Sequence, residues 1–423
     1  MALTGRAALA ALAGAALILA FRAPVLIIAV NALLLAAIVA DLVLAAPVRA
    51  LRFTRSGDVR CLLGERASVG LAVQNPGRRT LRADLRDACP PAATWTRTCG
   101  GQAWLTTTLV PDRRGDKVAA VVTVRSIGPL GLAGRQGKHS VPWTVRVLPP
   151  FRSRRHLPEK LSRLRQLDGQ HQALLRGQGS EFDSLREYVI GDDVRSIDWR
   201  ATARRGDVMV RTWRPERDRQ ILVMLDTGRT SAGRVGGVPR LDAAMDATLL
   251  LTALASRAGD RVDMIAFDRR LRARVVGAPR SAVLSAVAQA MAGIEPELVE
   301  TDAAALSSAV LTTARHRSLI VLLTDLNPAA IEEGLLPRLP LLAARHEILV
   351  AAVADPALTE LASGRATAAD IYDAAAAEQA LAARQRVSAL LQRRGAHVVD
   401  AQPDRLPPAL ADAYLALKAG GRL

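Results

Sequence analysis

Four apolar runs, each ending on an aspartate, constrain this chain more than any other feature. They are ILVMLD (221–226), VDMIAFD (262–268), SLIVLLTD (318–325) and EILVAAVAD (347–355). Between and after them lie Ala/Leu-rich stretches of helical character, roughly 241–258, 280–293, 302–315, 329–344, 368–394 and 404–418, and HVVDA (397–401) reads as a last short strand. Strands apolar on both faces and separated by helices of this length predict a parallel, doubly wound α/β sheet from residue 220 onward. In such sheets ligands sit beyond the carboxyl ends of the strands.

At those ends the sequence places DTGRTS (226–231), ETD (300–302) and TD (324–325). A strand-end carboxylate, hydroxyls just after it, a hydroxyl before a helix and a later Thr-Asp resemble the metal-ion-dependent adhesion site of von Willebrand factor A domains. That pattern is Asp-x-Ser-x-Ser, then Thr, then Asp, around a divalent cation. The resemblance implies Asp226, Thr230, Thr301 and Asp325 as ligands of Mg²⁺ or another divalent cation. Gly228 stands where the family has its first Ser. Mg²⁺ demands near-octahedral oxygen coordination, so a water must replace that hydroxyl or the site stays empty. The alternative is that the two Asp and two Thr are helix caps at strand ends. The residues alone leave both readings open.

The N-terminal part is of another kind. AALAALAGAALILAF (7–21) and PVLIIAVNALLLAAIVADLVLAA (24–46) are apolar, with only Arg22 and Ala23 between them. A signal peptide would leave the second run unexplained, so the pair reads as a transmembrane helical hairpin, residues 1–48. Arg6 precedes the first helix and Arg49, Arg52 and Arg55 follow the second, against Arg22 alone in the turn. The excess of basic residues at the outer ends predicts an inner-membrane protein whose remaining domains are cytoplasmic. Asp41, near the end of the second helix, is expected at the membrane interface, with a buried intramembrane carboxylate as the alternative. Three cysteines, Cys61, Cys89 and Cys99, have no metal-ligand spacing and fit a reducing compartment.

Residues 49–150 alternate apolar with polar in short segments: 67–75, 80–88, 102–110, 117–126 and 143–150. With turn residues between them they predict an antiparallel β-sandwich-like module. It shows no HExxH, GxSxG or P-loop pattern, so a binding or spacer role is expected of it.

Residues 151–219 read as a basic linker followed by a segment dense in charge and aromatic rings, GSEFDSLREYVIGDDVRSIDWRATARRGDVMVRTW (179–213). The chain carries a net charge of +17, and all but four of its 57 basic residues are Arg. That balance suits nucleic acid, an acidic partner or an anionic membrane, and equally a plain preference for Arg over Lys. The interleaved Asp and Glu would repel phosphates, so no nucleic-acid partner is expected. Carboxylates this close to Arg serve as ion-pair partners more readily than as acid/base catalysts.

The spacing of Gly179, Phe182, Leu185, Arg186, Tyr188, Gly191, Asp192, Arg195, Ile197, Asp198, Trp199, Ala203 and Arg204 resembles the signature of the domain-of-unknown-function 58 family. The signature residues Arg186, Tyr188, Gly191, Asp192, Arg195, Asp198, Trp199 and Arg204 are read as structural or partner-binding. The resemblance implies a bacterial membrane-anchored protein with a von Willebrand factor A-like domain (220–423). It also implies a partner: a MoxR-type AAA+ ATPase or a client of one. The expectation is a non-enzymatic interaction or assembly factor acting through a degenerate metal site. The alternatives are a metal-dependent hydrolase or nuclease using the same carboxylates, and a metal-free scaffold.

Overall fold

The computed structural model describes residues 2–21, 23–87, 95–100, 102–174, 181–214 and 219–422. Gly179, Arg22 and Cys89 therefore lie outside the described residues. The chain divides into two compact units, Met1–Leu148 and Pro149–Leu423.

The first unit holds strand β1 (Ala2–Leu3), helices α1 (Gly5–Phe21) and α2 (Pro24–Leu44), and strands β2 (Arg52–Gly57), β3 (Arg60–Leu62), β4 (Ala67–Gln74), β5 (Leu81–Asp87), β6 (Trp95–Gly100), β7 (Gln102–Leu109), β8 (Gly115–Ile127) and β9 (Ala133–Leu148). The strands form two sheets, β2-β4-β7 and β1-β9-β8-β5-β6, with β3 pairing parallel to β9. Leu71 and Val73 of β4 meet Leu81, Leu85, Val122 and Val124 of the larger sheet in a buried layer. The period-2 pattern of those strands faces inward there.

Helix α2 is long and apolar enough to cross a membrane, while α1 is a shorter apolar helix. A Cβ on Gly14 of α1 would lie 2.6 Å from Val30 Cγ1 of α2, so the small residue lets the two helices close. Asp41 is fully buried within the protein, and its carboxylate accepts the backbone N–H groups of Leu130 (2.7 Å), Leu132 (2.6 Å) and Ala133 (3.0 Å). The turn GPLGL between β8 and β9 thus wraps the last turn of α2. Any Cβ on Gly128 would strike that carboxylate, which explains a glycine there. Arg135 donates to the Leu42 carbonyl (2.8 Å), satisfying one of the groups that a helix end leaves open.

The second unit runs through α3 (Leu157–Leu174), β10 (Glu181–Glu187), α4 (Trp199–Arg205), β11 (Met209–Arg214), β12 (Gln220–Asp226), the short pair β13 (Arg234–Val235) and β14 (Val238–Pro239), α5 (Arg240–Arg257), β15 (Arg261–Phe267), β16 (Leu271–Val275), α6 (Val283–Ala292), α7 (Ala303–Thr313), β17 (Ser318–Leu323), α8 (Leu339–Ala343), β18 (Glu347–Val353), α9 (Pro356–Ala362), α10 (Ala368–Arg393), β19 (Ala396–Ala401) and α11 (Leu406–Ala419). Its main sheet has the order β16-β15-β12-β17-β18-β19. All its pairings are parallel except the edge strand β16, which folds back on β15.

Both faces of the sheet are covered. Ile221, Val223 and Leu225 of β12 face a core completed by α3, α5, α6 and α11, while Leu222 and Met224 face one completed by α7, α8 and α10. Residues 151–174, expected as linker, belong to this unit. Leu157 and Leu164 lie in its core, and buried Lys160 bonds Asp412 of α11 at 2.8 Å. Further along α11, the buried Tyr414 hydroxyl and Lys418 Nζ (2.7 Å) both donate to Asp260, which accounts for DAYLALK in the sequence.

Candidate functional site

The chain leaves β12, forms β15 on one side of it, and then returns to place β17 on the other. That reversal opens a crevice at the carboxyl end of β12, the usual ligand position in such sheets. Asp226 is the last residue of β12 and is 6% exposed.

Four donors converge on its carboxylate. Oδ1 accepts from the Gly228 N–H (2.9 Å) and the Thr301 hydroxyl (2.6 Å). Oδ2 accepts from the Thr324 hydroxyl (2.6 Å) and, at 3.4 Å, from Thr230. Backbone bonds set this geometry. Arg229 N–H donates to Val299 O (2.8 Å) and Glu297 N–H to Thr227 O (2.8 Å), so the loop before α7 runs beside the loop after β12. Asp302 then caps α7 by accepting from Ala304 and Ala305, which fixes Thr301 at the crevice.

The crevice opens into a cavity of about 290 Å³ lined by Asp226, Thr230, Thr301 and Thr324 at one end. Met224, Leu306, Leu322, Ile331 and Leu335 supply apolar wall. Residues Ala330–Leu335 on that wall form a wide π-type turn, with Leu336 N–H bonded to Ile331 O, a local widening often found at functional sites. Arg229 and Glu300 pair at 2.8 Å at the rim, both well exposed.

Asp226, Thr230 and Thr301 thus come together, and Thr324 joins them. Asp325 does not line this cavity. Its two carboxylate oxygens accept from Arg240 (2.8 Å) and Arg384 (2.6 Å), and Arg384 also bonds Asp400 twice (2.7 and 2.8 Å) and the Val353 carbonyl (3.0 Å). Burial works against the Arg384 charge, but the bonds to Asp400 and Asp325 outweigh it and hold the guanidinium above its ordinary range.

This arrangement does not fit a resident divalent cation. The Asp226 carboxylate already accepts four donors, the most its lone pairs take. The second carboxylate is matched to two guanidinia. A side chain at residue 228 would meet the Thr301 hydroxyl and lie 2.9 Å from the Val299 carbonyl. Among the described residues, no group of three or more His, Cys, Asp or Glu has metal-binding geometry.

The signature residues form a separate two-stranded element, β10 paired with β11 and α4 between them. Its ion pairs are local. Arg186 bonds Asp192, which also accepts the Val189 N–H, and these contacts, Arg186 first, hold its carboxyl below the usual range. Asp198 caps α4 through Ala201 and Arg200 N–H and takes Arg211 at 2.8 Å; the Ala201 N–H and then Arg211 lower its carboxyl as well. Gly191 has φ 110°, a backbone state that disfavours any side chain. Tyr188 is half-buried, while Arg195, Arg204 and Trp199 are exposed, and Ile190 is 97% exposed. The side chains of Phe182 and Trp213 lie outside the described residues.

A profile of the family described as "Protein of unknown function DUF58" matches residues 184–397, just over half of the chain. The chain is a member of the DUF58 family. The match begins in the signature hairpin, takes in Asp226, Thr301, Thr324 and Arg384, and ends in β19 of this DUF58 protein. Uncharacterized proteins of Mycobacterium tuberculosis and Mycobacterium bovis are each 31% identical to it over 203 residues. That alignment covers 46% of this chain and 61% of the relatives' own length. Among solved structures, the PKD domain of an M14-like peptidase from a Thermoplasmatales archaeon is similar at 13% identity. It covers 22% of this chain and 91% of that chain, with a TM-score of 0.16. The CARDB domain of a Pyrococcus furiosus protein is similar at 12% identity, covering 23% and 87%, with a TM-score of 0.19. Likenesses that weak carry no argument about this DUF58 protein.

Proposed function

We propose that this DUF58 protein is a membrane-anchored binding protein, not an enzyme, and that it docks a protein partner at the strand-end cavity beside Asp226. The observation that carries this reading is the state of the Asp226 carboxylate. It lines a cavity yet is fully engaged by three hydroxyls and one N–H. A carboxylate so occupied is a poor general base and a good recognition surface.

The anchor in this reading is the α1–α2 pair crossing the bilayer twice, with the β module after it and the whole second unit on the cytoplasmic side, as the basic residues around it favour. The partner is a MoxR-type AAA+ ATPase or a client of one. Ile190, Val194 and Trp199 add an exposed apolar face on the signature hairpin that suits protein contact. The docking is independent of a divalent cation, because two arginines already match the second carboxylate. A von Willebrand factor A-type use of the domain is retained in this reading, without the metal.

The full chain in nanodiscs, offered the purified MoxR-type ATPase, tests it. Wild-type protein is expected to capture the ATPase equally with EDTA or MgCl₂, and Asp226→Asn to lose capture. Capture that needs MgCl₂, or Mg²⁺-dependent phosphodiester cleavage lost in Asp226→Asn, overturns the reading.

A further inference from the structure

We infer that the cavity beside Asp226 receives an aliphatic ammonium group, the side chain of a lysine on the docking partner; the inference rests on the docking reading above. The cavity has two unlike ends, and only one class of side chain matches both.

Around Asp226, Thr301 and Thr324 give their hydroxyl hydrogens to the carboxylate at 2.6 Å, and Thr230 approaches it at 3.4 Å. A hydroxyl has one hydrogen and two lone pairs. Once the hydrogen is committed to the carboxylate, the lone pairs are what the oxygen offers elsewhere. All three threonines line the cavity. This end therefore presents three acceptor oxygens, each polarised by the carboxylate behind it. An ammonium group has three donors and no acceptor, which is the complementary set.

Charge points the same way. Asp226, Glu300 and Glu333 line the cavity against Arg229 alone, and Arg229 is paired with Glu300. No cation is within ion-pair distance of Asp226 among the described residues, although the chain as a whole carries +17. An acidic ligand would face acceptor oxygens and a net negative lining. A cation is favoured over an anion here.

The remaining wall decides the stem. Leu306, Leu322, Ile331 and Leu335 are apolar, and a bare metal ion or a free ammonium ion would leave that surface without a partner. At about 290 Å³ the cavity sits at the lower edge of the ~300–1,000 Å³ range typical of ligand sites. That suits one extended side chain with an apolar stem and a charged tip. Lysine buries its methylenes along such walls while its ammonium reaches polar groups.

The test uses the full chain in nanodiscs and two probes, N-acetyl-lysine-N-methylamide and the norleucine analogue that keeps the stem but lacks the ammonium. Binding is read by ligand-observed NMR titration. The lysine probe is expected to bind saturably and at least about tenfold more tightly than the norleucine probe, a gap one charge-assisted bond supplies. Asp226→Asn is expected to abolish that preference. Thr230→Val removes one of the three acceptors, the one whose only described hydroxyl bond is the 3.4 Å contact; it keeps the fold and weakens the lysine probe alone. Equal binding of the two probes, or a preference unchanged in both variants, overturns the inference. So does saturable Mg²⁺ binding that displaces the lysine probe. If ATPase capture depends on Asp226 while the lysine probe does not bind, the ammonium inference falls and the docking reading stands. If the probe binds through Asp226 while capture is unaffected, the docking reading falls and the ammonium preference of the cavity stands.

Discussion

The Thr301 hydroxyl occupies the volume into which a side chain on Gly228 would have to grow. The two positions are therefore coupled: a hydroxyl from the loop before α7 stands in the space next to Asp226 that a residue after β12 would otherwise fill. Gly228 is extended, with φ −77° and ψ −171°, so the glycine is required here by space and not by backbone strain.

Gly228→Ser is accordingly expected to destabilise the protein by about 1–3 kcal/mol, the usual cost of forcing extra atoms into a packed site. Thr301→Ala in the same chain is expected to recover part of that loss by vacating the space. Thermal unfolding with MgCl₂ and with EDTA checks both points. The wild-type midpoint is expected to be the same in the two conditions.

Arg384 lies between Asp325 and Asp400 with its side chain 12% exposed. Arg384→Met leaves two partly buried carboxylates without their shared guanidinium, which costs about 3–5 kcal/mol by the general behaviour of broken buried pairs. Asp325→Asn keeps an acceptor for Arg384 and is expected to cost less. Denaturant titration of the two variants ranks them, and the reverse order would mean that Asp325 is the costlier group to lose.

His346 is buried, and both ring nitrogens lack hydrogen-bond partners among the described residues. Burial, and then Arg345, push its pKa below the ordinary histidine value. The folded state thus binds the proton less readily than the unfolded state. Unfolding is favoured as pH falls below the unfolded value of about 6.5, and stability contributed by the neutral ring is fully present above it. The melting midpoint is expected to fall between about pH 7.5 and about pH 5.5, and His346→Leu to flatten that slope.

Tyr414 donates its buried hydroxyl to Asp260, where Lys418 also bonds. Tyr414→Phe removes a bond to a charged acceptor and is expected to cost about 1.5–3 kcal/mol. Chemical denaturation measures it, and an unchanged midpoint would mean that Lys418 alone satisfies Asp260.

Much of this architecture is readable in the residues, and the reason is composition. Runs such as ILVMLD and SLIVLLTD are apolar on both faces, a pattern that a sheet covered on both sides requires. The edge strand β16, LRARV, gave no such signal, because it is half exposed and carries two arginines. The site was legible in part. Asp226, Thr230 and Thr301 are the hydroxyl and carboxylate set that strand-end motifs mark, but the motif resemblance points to Asp325 and not to its neighbour Thr324. Alternation explains the difference. Ile320 and Leu322 face the same core as Leu222 and Met224, while Leu319, Val321 and Leu323 face the other. Leu225 pairs with Leu323, so Asp226 stands level with Thr324, and one residue further on the side chain turns to the opposite face. Register between strands distant in sequence is not written in either strand alone. Nor does the sequence show that Arg384, far along the chain in α10, returns to Asp325.

The grip of Asp41 on the β8–β9 turn sets the phase of α2. Its three bonds reach Leu130, Leu132 and Ala133, all on one side of α2. One residue of helical slippage turns a side chain by about 100°, which would carry the carboxylate away from all three at once. A twist applied to α2 must therefore break those three bonds together before the helix can turn about its own axis. It arrives in the longest strand pair of the first unit as torque.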